Sequence, residues 1–303
     1  MNWLLIAIIA HFIFALVFII DKFLVSKTVL QPITYAFYGG FLQILVLVLI
    51  PFGFVIPPLN QIIISFIAGA LFTFAVLSLY QSLQTDEVSK IVPMVGGAVP
   101  LFTFILTYFL LGERLSFNQL TAFFLLVLGG VIIVWPRKKN LAAEPANASL
   151  IKQLSLALLA ALFFAGSFVL TKFIFNYQSF INGLIWTRLG GFLGAGLLIL
   201  WPGNWRIIFK TSKKVKLKLG GLFASNKVLS ALAFILLNYA IFLGSVTLVN
   251  SLQGVQYVFL LIIALFLSKK FPQIIKEQVS QRMILQKIIA ILFIGLGLGI
   301  LAI

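Results

Sequence analysis

The sequence predicts an all-α polytopic membrane protein, ten transmembrane helices arranged as two inverted five-helix repeats. Three observations lead there. Ten apolar runs fill almost all of the 303-residue chain. Residues of the second half echo those of the first at an offset of about 150 positions. Basic residues collect at every second connection between runs.

A hydrocarbon core of about 30 Å takes roughly 20 helical residues to cross. Runs of about that length, nearly free of charge, fall at 3–20, 32–51, 62–84, 90–111, 117–135, 151–171, 180–201, 219–243, 248–267 and 284–302, numbered here as spans 1 to 10. With 62% hydrophobic and 9% charged residues, too little polar surface remains to coat a water-soluble domain of this size. Trp3 to Ile20 has no basic stretch before it and no small-residue cleavage site after it, so it reads as a retained span and not as a secretion signal. Trp3, Trp135, Trp201 and Trp205 stand at span ends, where an amphipathic ring sits at headgroup level. Cysteine is absent, which excludes a disulfide framework, a thiolate metal site and a thiol nucleophile.

The net charge of +16 would suggest nucleic acid binding in a soluble protein. Its placement says otherwise. Of the 22 Lys and Arg residues, 18 lie near connections 1–2, 3–4, 5–6, 7–8 and 9–10, all on one membrane side. Only Arg114 and Lys172 lie on the other side, and Arg188 and Lys227 lie within spans. Basic short loops stay in the cytoplasm and attract anionic lipid, so the odd-numbered connections are expected inside the cell membrane and both termini outside it. The densest cluster, Arg206 to Lys218 between spans 7 and 8, reads as a topology determinant and a patch facing membrane lipids.

Residues 136–150, PRKKNLAAEPANASL, form the one linker-like stretch and divide the chain into halves 1–135 and 151–303. Phe14, Ala15, Phe18, Lys22 and Phe23 match Phe164, Ala165, Phe168, Lys172 and Phe173. Gly39-Gly40-Phe41-Leu42 matches Gly190-Gly191-Phe192-Leu193, and Tyr80 matches Tyr239. Five is an odd number of crossings, so a duplicated half enters the membrane from the opposite side. Two similar units of opposite orientation can rock against each other and expose a midplane site to each side in turn.

The strongest local signature runs through span 4: Glu87-Val88-Ser89-Lys90-Ile91-Val92-Pro93, then Gly96-Gly97-Ala98-Val99-Pro100, closing on Leu111-Gly112-Glu113-Arg114-Leu115-Ser116. This arrangement resembles the EamA-type domain of the drug/metabolite transporter superfamily, whose fourth helix carries a small and proline-rich stretch and ends in a similar Gly-Glu-Arg. The resemblance covers the whole chain. It implies a small-solute carrier with a central cavity lined by spans 1–4 and 6–9, while spans 5 and 10 lie at the periphery. The second half departs from the pattern, reading Lys269-Lys270-Phe271-Pro272 where a Gly-Glu-Arg would stand. The family's termini are usually cytoplasmic, the reverse of the orientation that the basic residues indicate here.

Read from the residues, Pro93 and Pro100 lie seven apart on one helical face, and each removes a backbone donor, so span 4 is expected to be kinked or locally open. Gly96 and Gly97 let a backbone or a solute approach closely. In lipid, freed carbonyls are tolerable only against protein or a water-filled cavity, which turns this face inward. Ionisable groups in mid-span cost roughly 2.5–3.5 kcal/mol on insertion scales and are default site candidates. His11 can respond to a proton gradient or simply hydrogen-bond a neighbouring helix. Arg188 can bind an anionic group bidentately or pair with a carboxylate or carbonyl. Lys227 can snorkel, or share a cavity face with Ser230 and Asn238. Along span 9, Asn250, Gln253, Gln256 and Tyr257 form a polar stripe able to replace a solute's hydration shell or to bridge helices. Tyr35, Tyr38 and Tyr80, with Tyr239 as the match of Tyr80, add aromatic surface with a polar tip.

With one histidine, no cysteine and no HExxH, GxSxG or Walker sequence, neither a metal centre nor an ATP-driven pump is expected, and no cofactor is implied. The expected function is that of a secondary carrier moving a small polar metabolite or drug-like solute by alternating access, with His11 or Glu113 as the proton-responsive group. A flippase for a lipid or lipid-linked intermediate is the alternative, and an intramembrane enzyme the third. The partners so expected are a small-molecule solute, membrane lipids and, as an open case, a second copy of the chain.

Overall fold

A computed structural model of the chain describes residues 2–27, 31–83, 88–135, 148–212, 217–270 and 281–303. Its helices are α1 (Asn2–Lys27), α2 (Pro32–Phe41), α3 (Leu59–Ser82), α4 (Val88–Leu106), α5 (Phe117–Val134), α6 (Ala148–Phe175), α7 (Phe180–Leu200), α8 (Asn204–Ser212), α9 (Leu217–Leu243), α10 (Val246–Ser251), α11 (Gln253–Lys270) and α12 (Gln281–Ala302). No strand occurs among the described residues. Ten stretches among them are helical, long and apolar enough to cross a membrane, from Asn2–Asp21 to Met283–Ala302. These match the ten runs of the sequence to within a few residues at most ends. Of the expected linker, residues 136–147 lie outside the described residues, and 148–150 form the first turn of α6.

Local chemistry sets several boundaries. Ser116 caps α5 through a reciprocal capping box: its Oγ accepts from the Gln119 amide at 3.3 Å, and its own amide donates to Gln119 Oε1 at 3.0 Å. Ser245 caps α10 in the simpler way, its Oγ accepting from the Leu248 amide at 3.1 Å. Three spans depart from plain α-helix. Span 2 is α-helical only to Phe41 and continues as a tighter 3₁₀ segment, Leu42–Phe52, which ends at Gly53 with φ of 144°. Span 9 breaks at Leu252, whose amide turns back to the Val249 carbonyl while the Ser251 hydroxyl bonds the Leu248 carbonyl at 2.7 Å. In span 4 the expected opening at the prolines does not occur. The helix runs through Pro93 and Pro100, and α geometry gives way later, in a π-turn over Thr107–Leu111. There the Thr107 carbonyl accepts from the Glu113 amide, six residues on, and Gly112 takes a left-handed φ of 65° that closes the turn.

The most extensive packing joins an early helix to a late one: α1 to α9 and α11, α3 to α6 and α7, α4 to α6, and α5 to α12. The sequence halves are therefore not separate bodies. One bundle is built from α1, α9 and α11, the other from α2, α3, α4, α6 and α7, and α9 meets α6 and α7 only lightly. The units expected to rock were the two halves. Interdigitation of their helices leaves the seam between these mixed bundles as the loosest internal surface.

Glycines set how close α3 and α7 come. A Cβ on Gly190 would lie 2.6 Å from the Phe66 Cα and 2.7 Å from the Phe66 and Ser65 carbonyl oxygens, all backbone atoms of α3 that cannot give way singly. Gly196, one and a half turns further along α7, would meet nothing within 4 Å. Gly190→Ala is accordingly expected to destabilise the protein by about 1–3 kcal/mol through overpacking. Gly196→Ala should be neutral or slightly stabilising. Thermal unfolding of the two purified variants in detergent checks the contrast.

Candidate functional site

Arg188 lies eight residues beyond Phe180, the first residue of α7, or about 12 Å into the membrane along the helix axis. Phe72, Phe164 and Phe234 stand near the middle of α3, the sixth span and the eighth span, at comparable depth. They meet at the seam. The guanidinium carbon is 4.3 Å from the Phe234 ring centre and 5.3 Å from that of Phe72. Phe72 in turn contacts Phe234 edge-on at 4.8 Å, Phe164 at 5.5 Å and Phe168 at 6.4 Å. The side chain keeps 8% of its surface open, and its Nε donor has no hydrogen-bond partner. Among the described residues, no carboxylate lies within ion-pair distance of it. Cation–π contact offsets part of the loss of water but gives the N–H donors no acceptor.

A polar cluster bridges the two bundles at the end of the molecule where the basic connections lie. Asp21 of α1 accepts from the Tyr35 hydroxyl of α2 at 2.7 Å and from Asn226 Nδ2 of α9 at 2.8 Å. Lys227 Nζ stands 3.6 Å from the same Asp21 oxygen, donates to the Tyr35 hydroxyl and lies 4.1 Å from the Tyr35 ring centre. Tyr80 of α3 packs on Tyr35 with ring centres 4.2 Å apart. Lys227 thus does not reach for the headgroups; it is an ion-pair partner. Asp21 did not figure among the expected site residues, because it stands at the edge of its span beside Lys22 and reads as a flank. Its signal was its rarity: it is the only acidic residue before Asp86.

A second set of ties closes the opposite end. Lys172 Nζ, from the last turn of α6, donates to the carbonyls of Ile241 and Phe242 at 2.8 and 3.2 Å, in the last turn of α9 where helical carbonyls lack partners. Glu113 accepts from the Thr247 hydroxyl at 3.2 Å, and Thr247 also meets the Thr107 hydroxyl at 2.8 Å. Phe242 packs against Phe175 and Phe180, with ring centres 5.7 and 5.8 Å apart. Lys172 was read as a cation on the sparse side and as the match of Lys22; its partners are backbone carbonyls, which no side-chain pattern reports.

The remaining candidates separate. His11, 4% exposed, places Nδ1 3.4 Å from Gln256 Oε1 and Nε2 3.5 Å from the Val249 carbonyl, tying α1 to span 9. Asn250 donates to the Thr103 hydroxyl of α4 at 3.2 Å, and Gln253 to the Tyr257 hydroxyl at 3.2 Å. That hydroxyl occupies the space a Cβ on Gly96 would take. The stripe on span 9 therefore holds α1 and α4 from one face. Pro93 and Pro100 are buried. Asn238 donates to the Phe234 carbonyl at 2.8 Å, and its fully buried Oδ1 has no partner. Three expected cavity residues lie elsewhere. Gly97 faces Val131 of the outer helix α5, where a Cβ would come within 2.7 Å. Tyr38 joins a satellite cluster with Phe37 and Ile208 beside α8. Tyr239 is 37% exposed and lies against Phe180 at 5.0 Å. Each sits on a helix whose neighbouring residue faces inward, and an error of one position turns a side chain by about 100°.

Residues 1–135 match the model of the EamA-like transporter family. The matched family is one of the drug/metabolite transporter superfamily, and the match covers under half of the chain. A protein of known crystal structure shares the fold with a TM-score of 0.65 at 15% identity, over 97% of this chain and 95% of that chain. That likeness carries the fold, and the fold alone, across the second half of the chain. No curated protein matches the sequence.

The Asp21–Lys227 pair is partly buried, with 19% and 16% of the side chains exposed. Removing one charge leaves the other desolvated, while removing both leaves neither. Asp21→Asn or Lys227→Met alone should lower stability by about 2 kcal/mol, a hydrogen-bonded charge lost. The double variant should recover at least half of that. Melting curves of the three purified proteins, set in a double-mutant cycle, measure the coupling directly.

Proposed function

We propose that this EamA-family membrane protein is a secondary transporter of the cell membrane that carries a small polar metabolite, anionic in part, by alternating access. The observation that supports this most is Arg188: a charge at mid-depth, in a seam between bundles, lacking a carboxylate among the described residues. A charge so placed costs stability and is retained where a ligand repays it. Polar ties at both ends of the same seam support the reading of an exit at each end, and the conformation at hand has both ends bridged.

In the transport cycle so read, solute enters when one set of ties parts and leaves when the other does. The basic-end set is Asp21, Lys227, Tyr35 and Asn226. The opposite set is Lys172 with the end of α9, and Glu113 with Thr247. The repeats are inverted, and the bodies that move are the mixed bundles, with α5 and α12 as an outer brace. Glu113 and His11 are the groups through which a proton gradient would act, since each joins elements that must part or slide. The remaining interior candidates, Gln253, Gln256, Asn250, Asn238, Tyr80, Gly96 and Tyr257, border the path without carrying charge. The cytoplasm lies on the side of the basic connections, the termini on the other, and the partners are the solute and the surrounding lipid.

Two experiments test this. In sealed proteoliposomes holding an imposed pH gradient, a panel of small anions and neutral metabolites should include at least one whose flux falls ten-fold or more in Arg188→Gln, with the protein still folded. Unchanged flux of every transported anion would remove Arg188 from the path. Because the chain has no cysteine, orientation can be read from single substitutions at exposed positions. Asn118→Cys should react with a membrane-impermeant maleimide applied to whole cells, and Arg206→Cys only after the membrane is opened.

A further inference from the structure

We infer that the solute bound at Arg188 is a monoanionic organic acid, a single carboxylate on an aromatic or aliphatic body, and not a phosphate, a dicarboxylate, a cation or a neutral sugar. This rests on the transport reading and adds the chemistry of the cargo.

Three observations carry it. The first is the count of charges in the mid-depth layer. Arg188 is the one cation there among the described residues: the other charged groups near the seam, Asp21 with Lys227 and Lys172 with Glu113, stand at its two ends and are engaged there. One guanidinium neutralises one negative charge. A second charge on the solute would be stranded in a desolvated layer, which is unfavourable by the same rule that makes half of a buried pair costly. The second is the geometry of the guanidinium. Its contacts are ring contacts, with Phe234 at 4.3 Å and Phe72 at 5.3 Å, and neither ring offers its N–H donors an acceptor. The N–H donors point outward in the plane, and Nε has no acceptor. A planar carboxylate accepts two such parallel bonds at once.

The third is what surrounds that charge. Phe72, Phe164, Phe168 and Phe234 come from α3, α6 and α9 and touch one another with ring centres 4.8 to 6.4 Å apart. An inorganic anion or a sugar would press its hydration-demanding surface against these rings. An aromatic or aliphatic acid leaves water for them with its body while its carboxylate meets Arg188. Each half of the ligand thus has its own partner.

The test uses the full-length protein in detergent and titrates it calorimetrically with benzoate, hexanoate, acetate, succinate, inorganic phosphate, choline and alanine at one pH and ionic strength. Benzoate and hexanoate should bind at least ten-fold more tightly than succinate, phosphate, choline and alanine, with acetate weaker than benzoate because it lacks the body. Arg188→Gln should weaken benzoate ten-fold or more, and Arg188→Lys less. Phe234→Ala should weaken benzoate by a larger factor than acetate, because acetate has no body to pack on the ring. Equal or tighter binding of succinate, phosphate or alanine by the unaltered protein overturns the inference whether or not any variant folds. So does benzoate binding that Arg188→Gln leaves intact. The failures separate cleanly: benzoate bound in this order but never moved across proteoliposome membranes counts against transport and not against the site. Flux of a neutral or cationic solute with no benzoate binding counts against the site and not against transport.

Discussion

A guanidinium buried at mid-depth with no carboxylate beside it, among the described residues, is the constraint around which the rest of this fold arranges itself. In lipid the isolated charge is expensive, and the protein lowers that cost in three ways. It surrounds Arg188 with protein on all sides that matter, it sets two aromatic rings against it, and it keeps the neighbouring helices apart enough for large side chains to fill the seam. The glycines of α7 belong to the same arrangement. Gly190 brings α7 onto the α3 backbone on one face, so Arg188, two residues earlier, is turned toward the seam and α9.

The ties at the ends follow from the same physics applied at smaller depth. Asp21 and Lys227 lie near one membrane face, where they are partly desolvated and gain most from each other and from Tyr35 and Asn226. Lys172 reaches across the seam at the other face to carbonyls that α9 leaves open at its end. Both sets join the bundle of α1 and α9 to the bundle of α2, α3 and α6. Polar contacts of this kind are individually modest, about 1 kcal/mol or less between membrane helices, so parting one set while keeping the other is within reach of solute binding or a proton gradient. The ties along span 9 differ: His11 with Gln256, and Asn250 with Thr103, brace α1 and α4 away from the two ends of the seam.

The ten crossings were legible in the sequence because hydrophobic length is a property of single segments, and nothing tertiary can move a charge-free run of 20 residues out of the membrane. Arg188 and the polar stripe of span 9 stand out for the converse reason, as polar residues where lipid disfavours them. What escaped reading were properties that belong to pairs. Asp21 looked like a flank because its partner Lys227 is 206 residues away, and Lys172 answers to backbone carbonyls that every residue type carries equally. The prolines of α4 suggested a kink or a local opening; the helix passes through both without opening, and the departure from α geometry falls at Thr107–Leu111, where a later glycine and a long-range amide decide the geometry. Inside a span the inward face is a matter of 100° per residue, which is why Gly97 and Tyr38 were misplaced while Gly96 and Tyr35, one and three positions away, face the interior contacts. The matched residues led to the expectation of a duplication, but they could not show how the two halves interleave, because similarity along the chain is silent on which half packs on which.

Alternating exposure at the two ends of one seam is the claim on which these relations converge. It is tested most directly by spin-label distances on the cysteine-free background, one pair across the basic end (Gln81 with Val228) and one across the opposite end (Tyr177 with Leu243), in proteoliposomes with and without benzoate and a pH gradient. Each pair should show a short and a long distance, and conditions that enrich the long distance at one end should keep the other end short. A single unchanging distance at both ends, or both ends lengthening together, would contradict it.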